Sequence, residues 1–193
     1  MRRYALTLLF ALTLFVAAPR IVAAQSQTAG EPTTPDVSFK LKGLDGKTYD
    51  TEQMRGEVLL VSFGATWCAP CVWELAALEE LKEEYKTKPV RFLWVSIEDE
   101  KQTSNAVLRH FAKSYRVTLP VLRDPSKEIF ARFSNTVRLP LVVIIGPDGK
   151  FAAPAHRGMS SEPIQYKQLM RGRLNALLER SPKSESPTSK VER

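Results

Sequence analysis

An almost unbroken apolar run, Val58-Leu-Leu-Val-Ser-Phe63, leads into Gly-Ala-Thr-Trp-Cys-Ala-Pro-Cys71. This stretch constrains the fold more than any other. A strand so continuously apolar belongs in a sheet covered on both faces. Pro70 suits the first turn of a helix, where its missing N–H costs nothing. Cys71, Leu75, Leu78, Leu81 and Tyr85 then recur at helical spacing and form a core stripe. Glu79, Glu80, Lys82, Glu83 and Glu84 fill the opposite face as a solvated surface. The two cysteines of the chain, Cys68 and Cys71, therefore sit at a strand-to-helix turn. A C-x-x-C pair in that setting is a redox motif.

The other elements follow in order. Residues 37–42 read as a strand, Asp45-Gly46 as a hairpin turn, and 47–50 as the returning strand. Residues 90–97 form a second buried strand, 102–115 a helix, and 120–122 a short strand. Asp124-Pro125 starts a helix reaching about residue 133, by cap and first-turn proline. Residues 141–145 are a third apolar strand. Gly146-Pro-Asp-Gly149 turns it back into a hairpin partner at 150–155, and a helix covers 164–180. The order predicts an α/β fold, a mixed sheet flanked by helices with an N-terminal β-hairpin and a central helix-strand insertion.

A length of 193 residues suits one domain, placed at 37–180. Residues 1–24 open with two arginines, Arg2 and Arg3, and carry an apolar stretch from Tyr4 to Ala18 and small residues at Val22-Ala23-Ala24. This is the pattern of a signal peptide cleaved after Ala24, with an uncleaved signal anchor as the alternative. Residues 25–36, rich in Thr, Pro, Ser and Gln, read as a linker, and 181–193 as a disordered polar tail. Net charge is +7; without the leader's Arg2, Arg3 and Arg20, 25 basic residues face 21 acidic ones, or +4. The charge is dispersed, so no nucleic-acid partner is implied. Two cysteines form no disulfide scaffold and offer too few ligands for structural zinc. No metal or cofactor is expected.

Four blocks carry a family resemblance: 61–71 with Glu74, Leu119-Pro-Val-Leu-Arg-Asp124, Val137-Arg-Leu-Pro140, and 141–149. Over about 37–180 the chain resembles the TlpA/ResA-like thiol-disulfide oxidoreductases, a branch of the thioredoxin superfamily that includes envelope proteins serving cytochrome c maturation. The resemblance implies a thioredoxin-like sheet. It departs from the usual pattern at Ala76 and Leu141, where Pro and Thr are common, and at Arg138, where Gly is common. Where thioredoxins proper have a buried Asp, this chain has Ser62.

Cys68 is the expected nucleophile, since a helix N-terminus favours thiolate. Cys71, one turn on, is the expected resolving cysteine. Glu74 shares their helix face. By resemblance it shuttles a proton; the bland alternative is a surface acid near a helix start. The resemblance also makes Pro140 a cis-proline facing the dithiol, with Pro120 as the competing candidate, and makes the Leu139 backbone a partner for an extended substrate segment. Trp67 is expected to pack beside Cys68 and limit water access, or to be a core tryptophan. Trp73 should face outward, as a partner contact or packed on a loop. His110 and His156 read as structural or surface residues.

Dithiols of this fold span about −270 mV to about −120 mV. Ala69-Pro70 brings no positive charge between the cysteines, which argues for a reductant. The expected function is an exported, periplasmic or outer-face thiol-disulfide oxidoreductase that reduces protein disulfides. Its expected partners are disulfide-bonded envelope proteins, apocytochrome c among the candidates, and a membrane electron donor for re-reduction. Three other functions compete. A thioredoxin-fold peroxidase lacks its usual Pro-x-x-x-Thr-x-x-Cys run here; a copper(I)-binding dithiol lacks a supporting Met or His cluster; a redox-switched interaction module would show no turnover.

Overall fold

The computed structural model describes residues 37–159 and 163–180. The expected signal segment, linker and tail lie outside these residues. Strands β1 (Lys40–Gly43) and β2 (Thr48–Asp50) make the N-terminal hairpin, and one 3-10 turn, Thr51–Met54, leads to β3 (Val58–Gly64). Then come α1 (Ala69–Glu84), β4 (Val90–Ser96), α2 (Asn105–Ser114), β5 (Val121–Arg123) and α3 (Glu128–Ala131). The described chain closes with β6 (Leu141–Ile145), β7 (His156–Arg157) and α4 (Pro163–Arg180). The strands lie in the order β2-β1-β5-β4-β3-β6-β7. β4 runs parallel to both β3 and β5; β6 is antiparallel to β3, and β1 to β5. This is the expected thioredoxin-like mixed sheet, with α2 and β5 as the central insertion.

Period-two alternation along β3 sorts its side chains between two cores. Val58 and Leu60 face Leu75, Leu78 and Leu81 of α1, Leu108 of α2, and Met170 and Leu174 of α4. Leu59, Val61 and Phe63 face the other side, with Val37, Phe39 and Phe130. Ser62 shares its parity with Val58 and Leu60, so it points at α1. Each fully buried leucine of the α1 stripe holds about 2–5 kcal/mol against truncation to alanine. Gly64 continues the same face at the top of β3. A Cβ there would lie 2.6 Å from Trp94 Nε1, and Trp94 is fully buried.

Three expected elements differ. The helix expected at 102–115 starts at Asn105, because Ser104 Oγ accepts from Val107 N and caps it there. The helix expected over 124–133 is only the four residues of α3. Asp124 does cap, but its carboxylate accepts from Ile129 and Phe130, beyond a left-handed Lys127 at φ 59°. The strand expected at 150–155 reduces to one bridge, Phe151 to Ile145, and pairing resumes at β7. Pro154 interrupts the stretch, since proline cannot donate to a ladder.

Candidate active site

Cys68 occupies the cap position of α1 with an extended backbone, φ −90° and ψ 97°. Its sulfur accepts from Cys71 N at 3.2 Å. The cysteines are joined as a disulfide with Cα atoms 5.3 Å apart. Cys71 is fully buried, whereas Cys68 keeps 5% of its surface exposed. Both cysteines are buried, Cys71 the more deeply. Ala65 and Leu139 pack around the pair. The Leu139–Pro140 peptide bond is cis, and β6 begins immediately after it.

Glu74 lies one turn beyond Cys71 and is completely buried. Its two oxygens accept from hydroxyls on opposite walls: Ser62 Oγ of β3 at 2.6 Å and Tyr166 Oη of α4 at 2.9 Å. Burial pushes this carboxyl up to about 7 from its ordinary 4.5, while the two hydrogen bonds pull the other way. Burial, reinforced by Glu74, holds the Tyr166 hydroxyl well above the usual tyrosine range. The His156 ring packs on Tyr166 with centroids 5.5 Å apart. Burial lowers the pKa of His156, and Arg173 adds to the effect.

Trp67 is 68% exposed, so its indole stands in water and is not packed as a cover over Cys68. Trp73 is 55% and Val137 53% exposed. These residues give the disulfide end of the molecule three bare apolar side chains. His110 is exposed on α2, remote from the cysteines in the fold's order. His156 is closer to the chemistry than its sequence position indicates, because it touches the partner of Glu74.

Two residues outside the sequence reading lie against this site. Tyr166 lies in the helix expected at 164–180, where nothing in its local sequence singles it out. Glu98, just past β4, is 5% exposed. It reaches the turn before Cys68, accepting from Thr66 N at 2.9 Å and Thr66 Oγ1 at 2.6 Å. An acid ending an apolar strand was the one signal for it.

The comparisons with known proteins agree with this geometry. The Redoxin family model matches residues 28–163. The chain belongs to the Redoxin family. Within it, the chain is similar to Thiol-disulfide oxidoreductase ResA of Bacillus thuringiensis subsp. konkukian, at 32% identity over 113 residues, 58% of this chain and 62% of that protein. It is 34% identical to Thioredoxin-like protein YneN of Bacillus subtilis over 111 residues, 58% of this chain and 63% of that one. The matches span less than two thirds of these relatives' lengths. These Redoxin relatives support the TlpA/ResA-like resemblance. Among solved structures, a thioredoxin family thiol:disulfide interchange protein of Chlorobium tepidum TLS superposes with a TM-score of 0.64 at 19% identity, covering 78% of this chain and 99% of that one. That likeness shows the fold alone. The exposed lipoprotein thioredoxin Etrx1 of Streptococcus pneumoniae superposes at 0.57 with 29% identity, covering 70% and 98%.

Proposed function

We propose that this chain is an exported thiol-disulfide oxidoreductase that reduces protein disulfides through Cys68 and Cys71. The observation that carries the reading is a disulfide at a helix N-terminus, with Cys68 at the cap and Cys71 the more deeply buried of the two. In the reduced protein the Cys71 N–H and the helix end favour a Cys68 thiolate. That thiolate attacks one sulfur of the substrate disulfide. A Cys68–substrate bond forms, the substrate S–S bond breaks, and the leaving sulfur takes a proton. Cys71 passes its proton to the Glu74 carboxylate and attacks Cys68 Sγ. The Cys68–Cys71 bond forms and the second substrate thiol leaves. Two electrons move to the substrate, and an electron donor of the membrane restores the dithiol. A carboxyl with a pKa of about 7 is divided between its two forms at neutral pH, as an acid-base group needs.

Substrate docking is supported by the Leu139 backbone, which among the described residues makes no hydrogen bond and is open to an extended strand beside Cys68. Trp67 and Val137 supply apolar contact. In this reading residues 37–180 are the working domain and 1–24 the export signal. The compartment is the envelope, a reading supported by the description of the pneumococcal neighbour as an exposed lipoprotein. Its substrates are disulfide-bonded envelope proteins, with apocytochrome c as one candidate.

The test is trapping. Cys71→Ser protein, reduced and mixed with oxidised envelope extract, should accumulate mixed disulfides on Cys68 that dithiothreitol dissolves. The wild type should reduce insulin catalytically. Absence of both adducts and turnover would overturn the reading.

A further inference from the structure

The Glu98 carboxylate accepts four hydrogen bonds. Oε2 accepts from Thr66 N at 2.9 Å and Ser96 Oγ at 3.1 Å; Oε1 accepts from Thr66 Oγ1 at 2.6 Å and Thr103 Oγ1 at 3.0 Å. Both oxygens of the carboxylate are thus filled by donors. Parallel pairing of β3 with β4 sets Gly64 beside Ser96, and Ile97 N donates to Gly64 O. Glu98 therefore stands level with Thr66, two residues before Cys68. The same turn is closed by Cys68 N donating to Ala65 O. Glu98 is thus the outside anchor of the segment that presents the sulfur.

Its charge has no ion-pair partner among the described residues. Arg123, the buried cation nearest in the fold, comes from β5 on the far side of β4. Its guanidinium holds backbone: Nη1 donates to Thr103 O and Nη2 to Glu98 O, with Nε 3.9 Å from Glu100 Oε1. Asp124, also buried, spends its carboxylate on Ile129 and Phe130 N–H groups. On the cysteine side, Glu74 adds a second carboxyl beyond Cys71. The Thr66 face of Glu98 therefore sets a carboxylate on the turn that presents Cys68, while the Arg123 guanidinium is held on the backbone oxygens of Glu98 and Thr103.

We propose that Glu98 is a positioning residue of the dithiol reaction, which fixes the turn presenting Cys68 and places a negative charge behind it. This opposes the Cys68 thiolate and biases the pair toward disulfide, so the protein gives up electrons more readily. The inference rests on the proposed thiol-disulfide chemistry and supplies its direction. A reduced form that is less stabilised is a better reductant.

The experiment titrates the Cys68 thiol in reduced full-length protein and measures the dithiol potential in glutathione buffers, for wild type, Glu98→Gln and Glu98→Asp. Glutamine keeps the shape and removes the charge. It should raise the ionisation constant of Cys68 about tenfold, as loss of a nearby like charge does. Above that thiol's pKa the potential should rise correspondingly, by about 30 mV for a tenfold change. Aspartate should restore the wild-type values. An unchanged or lower ionisation constant in a folded Glu98→Gln protein overturns the proposal. Where that variant does not fold, Thr103→Val serves, since it strips one hydrogen bond from the carboxylate without touching the Cys68 turn. The less compensated charge should then lower the ionisation constant, and any other result overturns the proposal. Neither readout needs a protein substrate. A protein that fails to turn over insulin yet shifts as described defeats the functional reading alone.

Discussion

The Tyr166 hydroxyl donates to Glu74 Oε1 at 2.9 Å across 92 residues of chain. With Ser62 on the other oxygen, the acid is gripped between β3 and α4. Both donors favour the ionised acid, whereas its complete burial favours the protonated one, and burial is the larger effect. The balance leaves the group titrating where cellular pH lies.

Tyr166→Phe removes one of the two opposing hydrogen bonds. The Glu74 carboxyl should then titrate above about 7. The pH profile of disulfide exchange should move upward with it. An unpaired buried carboxylate oxygen should also cost about 1–3 kcal/mol at neutral pH. Stopped-flow exchange from pH 5 to 9, with urea melts at pH 7, reads both effects.

Glu74→Gln bears on stability and rate together. The folded protein holds this proton more tightly than the unfolded chain, so the ionised acid opposes folding. That stability is fully present below about pH 4.5 and is lost as pH rises through about 7. At about 1.4 kcal/mol per pKa unit, the loss amounts to about 3 kcal/mol. Glutamine should flatten this slope in urea melts between pH 4 and 8. It should also slow exchange at pH 7 by about 100-fold. Wild-type stability that is level across that range, or unchanged exchange rates, would refute the assignment.

Trp67→Ala should leave the urea midpoint within about 0.5 kcal/mol of wild type, because the indole is exposed. If Trp67 contacts substrate, KM for a protein disulfide should rise while turnover of a small aromatic disulfide stays the same. Equal loss with both substrates would assign Trp67 to the chemistry instead.

Gly64→Ala tests the packing above the sheet. The new methyl would meet the Trp94 indole, which is fully buried and stacked on Phe111. Overpacking of this kind costs about 1–3 kcal/mol. A urea midpoint equal to wild type would show that the indole yields.

The local signals in this chain are strong where one segment decides the outcome. The apolar run of β3, the helical stripe from Cys71 to Tyr85 and the C-x-x-C spacing each speak for themselves, so the sheet and the dithiol helix were legible. Glu74 was legible as a neighbour of the cysteines. Its partial desolvation was too, but its complete burial was not, because the covering hydroxyl comes from α4. Glu98 depends on the parallel register of β3 and β4, a relation between segments 32 residues apart. Trp67 failed in the opposite way: its place beside Cys68 suggested cover, but the turn directs the indole to solvent. The short α3 reflects competition among local conformations, since Lys127 adopts a left-handed backbone where a helix would need a right-handed one.

Chain synthesis sets the order in which the parts of this site come into being. The cysteines and Glu74 emerge early, and the hydroxyl that grips the acid belongs to α4, the last helix among the described residues. At roughly 5–20 residues per second, the 92 residues between Glu74 and Tyr166 take roughly 5–20 s. For that interval a growing chain has the thiols and the acid but not the Tyr166 hydroxyl. Docking of α4 both closes one core, through Met170 and Leu174, and completes the cage around the proton. Folding thus finishes the scaffold and the acid in one stroke, and a truncated chain would lose both together.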